Sequence, residues 1–93
     1  MKLPVVNRPE YIIYLELFCN YYWIHTDVFK WSAETKRHYI RELNQLQLLL
    51  DAPLYGLVDN EKLGKFGTTI GFKYIKDLLG NDGRMYKIYT RSL

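Results

Sequence analysis

His25 and His38 are the only histidines in this 93-residue chain. An imidazole titrates near neutrality and can take a proton from a reacting amine. His25 closes a β-patterned run, Tyr21–His25, and is the candidate general base; His38 lies early in a helical stretch. Glu10, Glu16 and Asp27 are carboxylates in the same N-terminal third that could serve the same purpose. Tyr86 and Tyr89, near the C-terminus, carry phenols that could return a proton. Each residue also has a plain structural use. A histidine can be the polar tip of a strand or helix face, a carboxylate a surface charge, and strand tyrosines core or interface aromatics. Two lone histidines and a single cysteine, Cys19, make no ligand pattern, so no metal site is expected. Cys19 itself reads as a small buried hydrophobe.

A second kind of chemistry is phosphate binding. Lys30-Trp31-Ser32-Ala33-Glu34-Thr35-Lys36 opens a helical stretch. The first turn of a helix offers unpaired N–H donors and the positive end of the dipole. Ser32, Ala33, Thr35 and Lys36 are therefore candidates to line an anion site. The alternative is an ordinary cap with solvated charges. Lys36, Arg37 and Arg41 could add contacts to phosphates or to an acidic partner, or form a solvated face.

These groups need elements to hold them. Residues 1–9 are bounded by Pro4 and Pro9 and read as extended. Glu10–Thr26 fits either a helix with Pro9 in its first turn or strands. Its β-branched and aromatic content favours a hairpin or bent strand turning near Cys19-Asn20, then the strand Tyr21–His25. Residues 32–50 are a helix: Ser32 caps it and Glu34 complements its dipole. Ile40, Leu43, Leu46 or Gln47, and Leu50 form its apolar face. Lys36, Arg37, Arg41, Glu42 and Gln45 fall on other faces, and Pro53 ends the helix. Leu54–Val58 reads as a buried strand. Asp59 or Asn60 caps a second helix, Glu61–Ile70, closed by Gly71. Phe72–Leu79 and Arg84–Arg91 flank Gly80-Asn81-Asp82-Gly83, a hairpin turn. The expected architecture is α/β: a mixed sheet with a βαβ unit, a second helix and a C-terminal β-hairpin.

Composition narrows the partners. The net charge is +3 without a long basic run, so nucleic acid is not expected. The start of the sequence lacks the apolar core of a signal peptide, and one cysteine suits a reducing compartment. Apolar runs are broken too early for a membrane span. Hydrophobic residues are 48% and aromatics 16%, with nine tyrosines, enough for one modest core and an aromatic surface besides.

The punctuation of these elements resembles the C-terminal half of the GNAT (GCN5-related N-acetyltransferase) fold. The likeness places residues 21–91 in a single 1–93 GNAT-like domain, with 1–20 as a short, poorly defined N-terminal segment. In that family the turn Arg/Gln-x-x-Gly-x-Gly/Ala holds the pyrophosphate of acetyl-CoA. Here it corresponds to Lys30-Trp31-Ser32-Ala33-Glu34-Thr35. Asn60 stands where the family has an asparagine after the next strand. Phe66-Gly67-Thr68-Thr69-Ile70-Gly71-Phe72 matches Phe-Tyr-x-x-x-Gly-Phe, with Gly67 in place of the tyrosine that protonates the departing thiolate. The resemblance thus implies a possible acetyl-CoA site at Lys30, Ser32, Ala33, Thr35, Lys36, Asn60 and Phe66. It also implies that the two parallel strands part at their C-terminal ends to form a pantetheine slot. With only about twenty residues ahead of the match, the sheet is expected to be truncated or completed by another chain.

The stretch around Trp23 and Thr26, the basic helix and the Phe-x-x-x-Ile-Gly segment are similar to small internal-virion or head-associated GNAT-like proteins of T7-like podophages. That likeness implies a catalytically impaired protein of virion structure or assembly, or an interaction module. The setting would be the host cytoplasm or the virion, with a protein partner or self-association. Two alternatives stand beside it: an active acetyl-CoA-dependent N-acetyltransferase of reduced size, and an inhibitor of a host or defence protein.

Overall fold

The computed structural model describes all 93 residues. It is α/β, as expected, with the order β1 (Leu3–Asn7), β2 (Tyr11–Phe18), β3 (Tyr21–Val28), α1 (Ala33–Leu50), β4 (Leu54–Val58), α2 (Glu61–Thr69), β5 (Lys73–Leu79) and β6 (Met85–Arg91). One six-stranded sheet runs β1-β2-β3-β4-β6-β5. Only β3 and β4 are parallel; every other neighbouring pair is antiparallel. The βαβ unit is therefore β3-α1-β4, and the C-terminal hairpin is β5-β6.

The N-terminal segment is better defined than expected. It supplies two strands, so a three-stranded antiparallel meander precedes α1. The β2–β3 turn is Cys19-Asn20, with φ of 54° and 67°. Both residues are left-handed, as a two-residue turn matching the strand twist requires. The turn puts Cys19 at an exposed hairpin tip. This corrects the expectation of a buried cysteine: the alternating strand pattern ends at Phe18, and residue 19 belongs to the turn.

Helix α1 is capped as expected. Ser32 Oγ accepts from Thr35 N at 3.1 Å. Asp51 ends the helix with φ 52°, its N–H donating to Gln47 O. Asn60 caps α2, its Oδ1 accepting from Leu63 N at 2.8 Å. Gly71 follows α2 with φ 99°, a conformation that favours glycine.

The strand registers divide the sheet residues between two faces. Tyr11, Ile13, Leu15, Tyr22, Ile24, Leu54 and Tyr89 share one face, and all pack in or against the core with Tyr39 and Leu43 of α1 and Phe66 of α2. Both helices therefore cover the same face. Tyr14, Glu16, Phe18, Tyr21, Trp23, His25, Tyr55 and Leu57 share the opposite face, as do Tyr86, Ile88 and Thr90. No helix lies on that side.

The inner stripe of α1 differs from the apolar set expected. Thr35, Tyr39, Glu42, Leu43 and Gln47 are buried, while Ile40, Leu46 and Leu50 are half-buried. Glu42, expected on another face, is paired with Arg8, which arrives from the β1–β2 connection. Gln47 donates to Arg91 O at 2.8 Å and its Oε1 accepts from the Arg91 guanidinium. Long-range partners thus make two polar residues inner ones, a property that helical spacing does not encode.

Candidate functional site: a slot between parted strands

β3 and β4 pair only at Tyr22↔Leu54 and Trp23↔Tyr55. Beyond those pairs the strands run on to Val28 and Val58 without a ladder between them. They part at their C-terminal ends, and a cavity of about 230 Å³ occupies the gap. Ile24, Thr26, Gly56 and Val58 line it from the helix-covered side of the sheet; His25 and Leu57 line it from the bare side. Its floor comes from Tyr39 of α1, from Leu63, Phe66, Gly67 and Ile70 around α2, and from Phe72 and Tyr89.

The slot is mainly apolar, with a few polar groups at defined places. Thr26 Oγ1 and Tyr39 Oη share a hydrogen bond of 2.5 Å. Burial is the main cause that pushes the Tyr39 phenol up to about 12, while the Thr26 hydroxyl and nearby Arg91 hold it back or down only in part. Tyr39 is therefore a neutral hydrogen-bonding wall, not an acid.

His25 and Glu16 come together across β2 and β3. With its proton on Nε2, His25 donates to Glu16 Oε1 at 2.9 Å. Glu16 also lies 3.6 Å from the N-terminal ammonium. The His25 hydrogen bond is the largest cause holding the Glu16 carboxyl below its ordinary range. This is the arrangement of a base oriented by a carboxylate, with the other ring nitrogen left for a ligand. Two residues singled out separately in the sequence thus form one pair at the wall of the slot.

The other candidates separate. Tyr86 does not line the slot; its hydroxyl donates to Asp82 Oδ2 at 2.5 Å in the β5–β6 turn. That turn bond first, and burial second, raise the Tyr86 phenol's pKa. Tyr86 is thus a β6 residue tied to the turn and lies outside the slot. Tyr89 is the tyrosine the slot contains. A Cβ at Gly67 would lie 4.0 Å from the Tyr89 ring, and one at Gly64 would lie 2.9 Å from its hydroxyl. The two glycines of α2 leave the space in which the Tyr89 side chain rests. Asp27 is exposed on β3, and Glu10 lies away from the slot, with backbone contacts from its O to Phe29 N and Lys30 N. His38 is 3.6 Å from Glu34 on α1.

The proposed phosphate residues are only partly gathered. Lys30, Ser32 and Thr35 line a separate polar cavity of about 190 Å³ at the start of α1, with Arg8, Glu10 and Glu34. Ala33 and Lys36 do not line it; Asn60 caps α2, and Phe66 is in the slot. Ser32 Oγ is occupied by Thr35 N and lies 3.0 Å from Thr35 Oγ1. Trp31 stands between the helices, its ring 5.0 Å from Phe66 and 5.9 Å from Tyr39, both edge-to-face. It bridges the two helix starts without lining the slot. Sequence reasoning missed Arg8, whose isolated position in an extended segment carries no sign that it reaches α1.

No family model, curated protein or solved structure matches this chain.

Proposed function

We propose that this chain is a GNAT-like interaction module with impaired acyl-transfer chemistry, acting in virion structure or assembly like the phage proteins it resembles. The observation that carries this reading is the bare sheet face. A six-stranded sheet has both its helices on one side, and the other side presents Tyr14, Phe18, Tyr21, Trp23, Tyr55 and Tyr86. Large aromatics without a covering layer are the usual material of protein interfaces. The start of α1 supports the same reading. Its cap hydroxyl accepts from Thr35 N, and in the small cavity where phosphates would have to enter the Arg8 and Lys30 cations are matched by the Glu10 and Glu34 carboxylates. A site with no excess of positive charge gains little from an incoming anion. Gly67 has no side chain to protonate a thiolate. Calorimetry with acetyl-CoA tests this: no heat of binding is expected at millimolar cofactor, and turnover with an amine would overturn the reading.

The slot favours a second reading, an acetyltransferase of reduced size. A pantetheine arm in the gap between β3 and β4 would bring its thioester to a wall that carries His25, oriented by Glu16. Tyr89 would take the place of the absent tyrosine, its ring filling the space beside Gly67. GNAT chemistry relies largely on positioning an amine against the thioester. In this reading His25→Gln lowers turnover by roughly 10²–10⁴-fold, the usual contribution of a general base. An unchanged rate in that variant excludes His25 as base.

A further inference from the structure

We infer that the small cavity at the start of α1 is a binding site for a small polar zwitterion, an α-amino acid of about the size of serine. This site is separate from the slot and from the bare sheet face, and it does not depend on what either of them binds.

The first support is a buried hydroxyl without a partner. Tyr11 is fully buried, yet its Oη meets no hydrogen-bond partner. Tyr11 lines this cavity together with Arg8, Glu10, Lys30, Glu34 and Thr35. A buried polar group left unmatched costs more than an ordinary hydrogen bond contributes, so folded proteins keep few of them. Glu42 Oε2 is the second such atom, on the carboxylate whose other oxygen accepts from Arg8 Nε. Glu42 lies near enough to Tyr11 to raise the phenol's pKa, after burial itself, but the two do not meet in a well-formed bond. The phenol is therefore neutral and can both donate and accept.

The second support is the pattern of charge. Arg8 and Lys30 bring two cations to the cavity, and Glu10 and Glu34 bring two carboxylates. Arg8 reaches Glu42 through Nε, which leaves its terminal amino groups for a further acceptor. Lys30 stands just ahead of the positive end of α1. A ligand carboxylate is met by Arg8 and Lys30, and a ligand ammonium by Glu10 and Glu34. A lone anion is opposed by the second pair and a lone cation by the first. One molecule with both charges suits all four residues.

The third support is size and polarity. The cavity holds about 190 Å³. That is the share of roughly six waters in the liquid, room for a small amino acid. No aliphatic side chain lines it, so a large apolar substituent would find no apolar wall. Ser32 and Thr35 add hydroxyls, their oxygens 3.0 Å apart, which favours a hydroxylated substituent such as that of serine.

Isothermal calorimetry of the whole chain with L-serine tests the inference. Glycerate, which lacks the ammonium, and ethanolamine, which lacks the carboxylate, are the comparison ligands. A dissociation constant of about 1 mM or tighter is expected for serine. Each comparison ligand should bind roughly tenfold more weakly, the weight of one hydrogen bond to a charged group. Lys30→Gln and Glu34→Gln, both at exposed positions, should each weaken serine binding with little change in the urea midpoint. Tyr11→Phe separates a ligand group from a structural one. It removes a hydroxyl that the free protein leaves unpaired, so the variant should be at least as stable and bind serine roughly tenfold more weakly. A lower urea midpoint for Tyr11→Phe with serine binding intact would give the hydroxyl to the fold and overturn the proposal. Tighter binding of glycerate or inorganic pyrophosphate than of serine, or no heat with serine at about 10 mM, would overturn it too. Acetyl-CoA turnover with serine binding would overturn the module reading and leave this site standing; no turnover and no serine binding would do the reverse.

Discussion

Glu16 shows how one hydrogen bond ties a residue to the pH range of the fold. Its folded pKa lies below its ordinary value, chiefly because His25 donates to it. The paired carboxylate thus stabilises the fold above an unfolded pKa of about 4.5, and this is lost as pH falls through the lower folded value. Glu16→Gln should flatten the stability–pH curve below about pH 4.5, as read by urea midpoints. Tyr39 acts at the other extreme. Its phenol is raised to about 12, so between its ordinary value near 10 and about 12 the unfolded chain loses a proton that the folded chain keeps. Stability should decline over that interval, and in an absorbance titration at 295 nm at least two phenols, Tyr39 and Tyr11, should ionise only with unfolding. Tyr39→Phe removes the Thr26 partner as well, and should cost about 1 kcal/mol. Arg8 and Glu42 are the opposite case in legibility. Their ion pair spans the β1–β2 connection and α1, and Tyr11 Oη and Glu42 Oε2 lie beside it without well-formed hydrogen bonds. Burial first, and Glu42 second, push the Tyr11 phenol far up.

At the scale of elements, the turns decide what was readable. Ser32, Asn60 and Gly71 sit where capping rules place them, and both helices start where expected. Ser32→Ala and Asn60→Ala should each lower stability by about 1 kcal/mol in denaturant melts. The Cys19-Asn20 turn is harder to see, because its left-handed pair lacks the glycine that usually marks one. For the same reason Asn20→Gly should raise the melting temperature by a few degrees, since φ 67° costs glycine nothing. α2 carries a third signal. Gly64 is buried against Tyr89 and Val58, and an added Cβ would lie 2.9 Å from the Tyr89 hydroxyl, so Gly64→Ala must shift the end of the Tyr89 side chain. It should destabilise the protein by roughly 1–3 kcal/mol, within the range for overpacking, and change the near-ultraviolet spectrum.

The whole molecule is a two-layer sandwich with one side open. Leu43 is fully buried in the single core, and Leu43→Ala should cost about 2–5 kcal/mol, a large share of the stability of a domain this small.

Local rules settle much of this protein. The α/β class, the two capped helices, the C-terminal hairpin and the parallel β3–β4 unit follow from hydrophobic period, breakers and turn residues, all of which act within a few positions. His25 and Glu16 were legible as candidates but not as a pair. Only the β2–β3 register brings residues nine apart within hydrogen-bond distance. Arg8 on Glu42, Arg91 on Gln47 and Tyr89 beside Gly67 were decided by tertiary contact alone, between positions 22 to 44 apart in the chain. The parted strands and the bare face belong to that class too. A strand's alternation separates its two sides; it does not say which one a distant helix will cover.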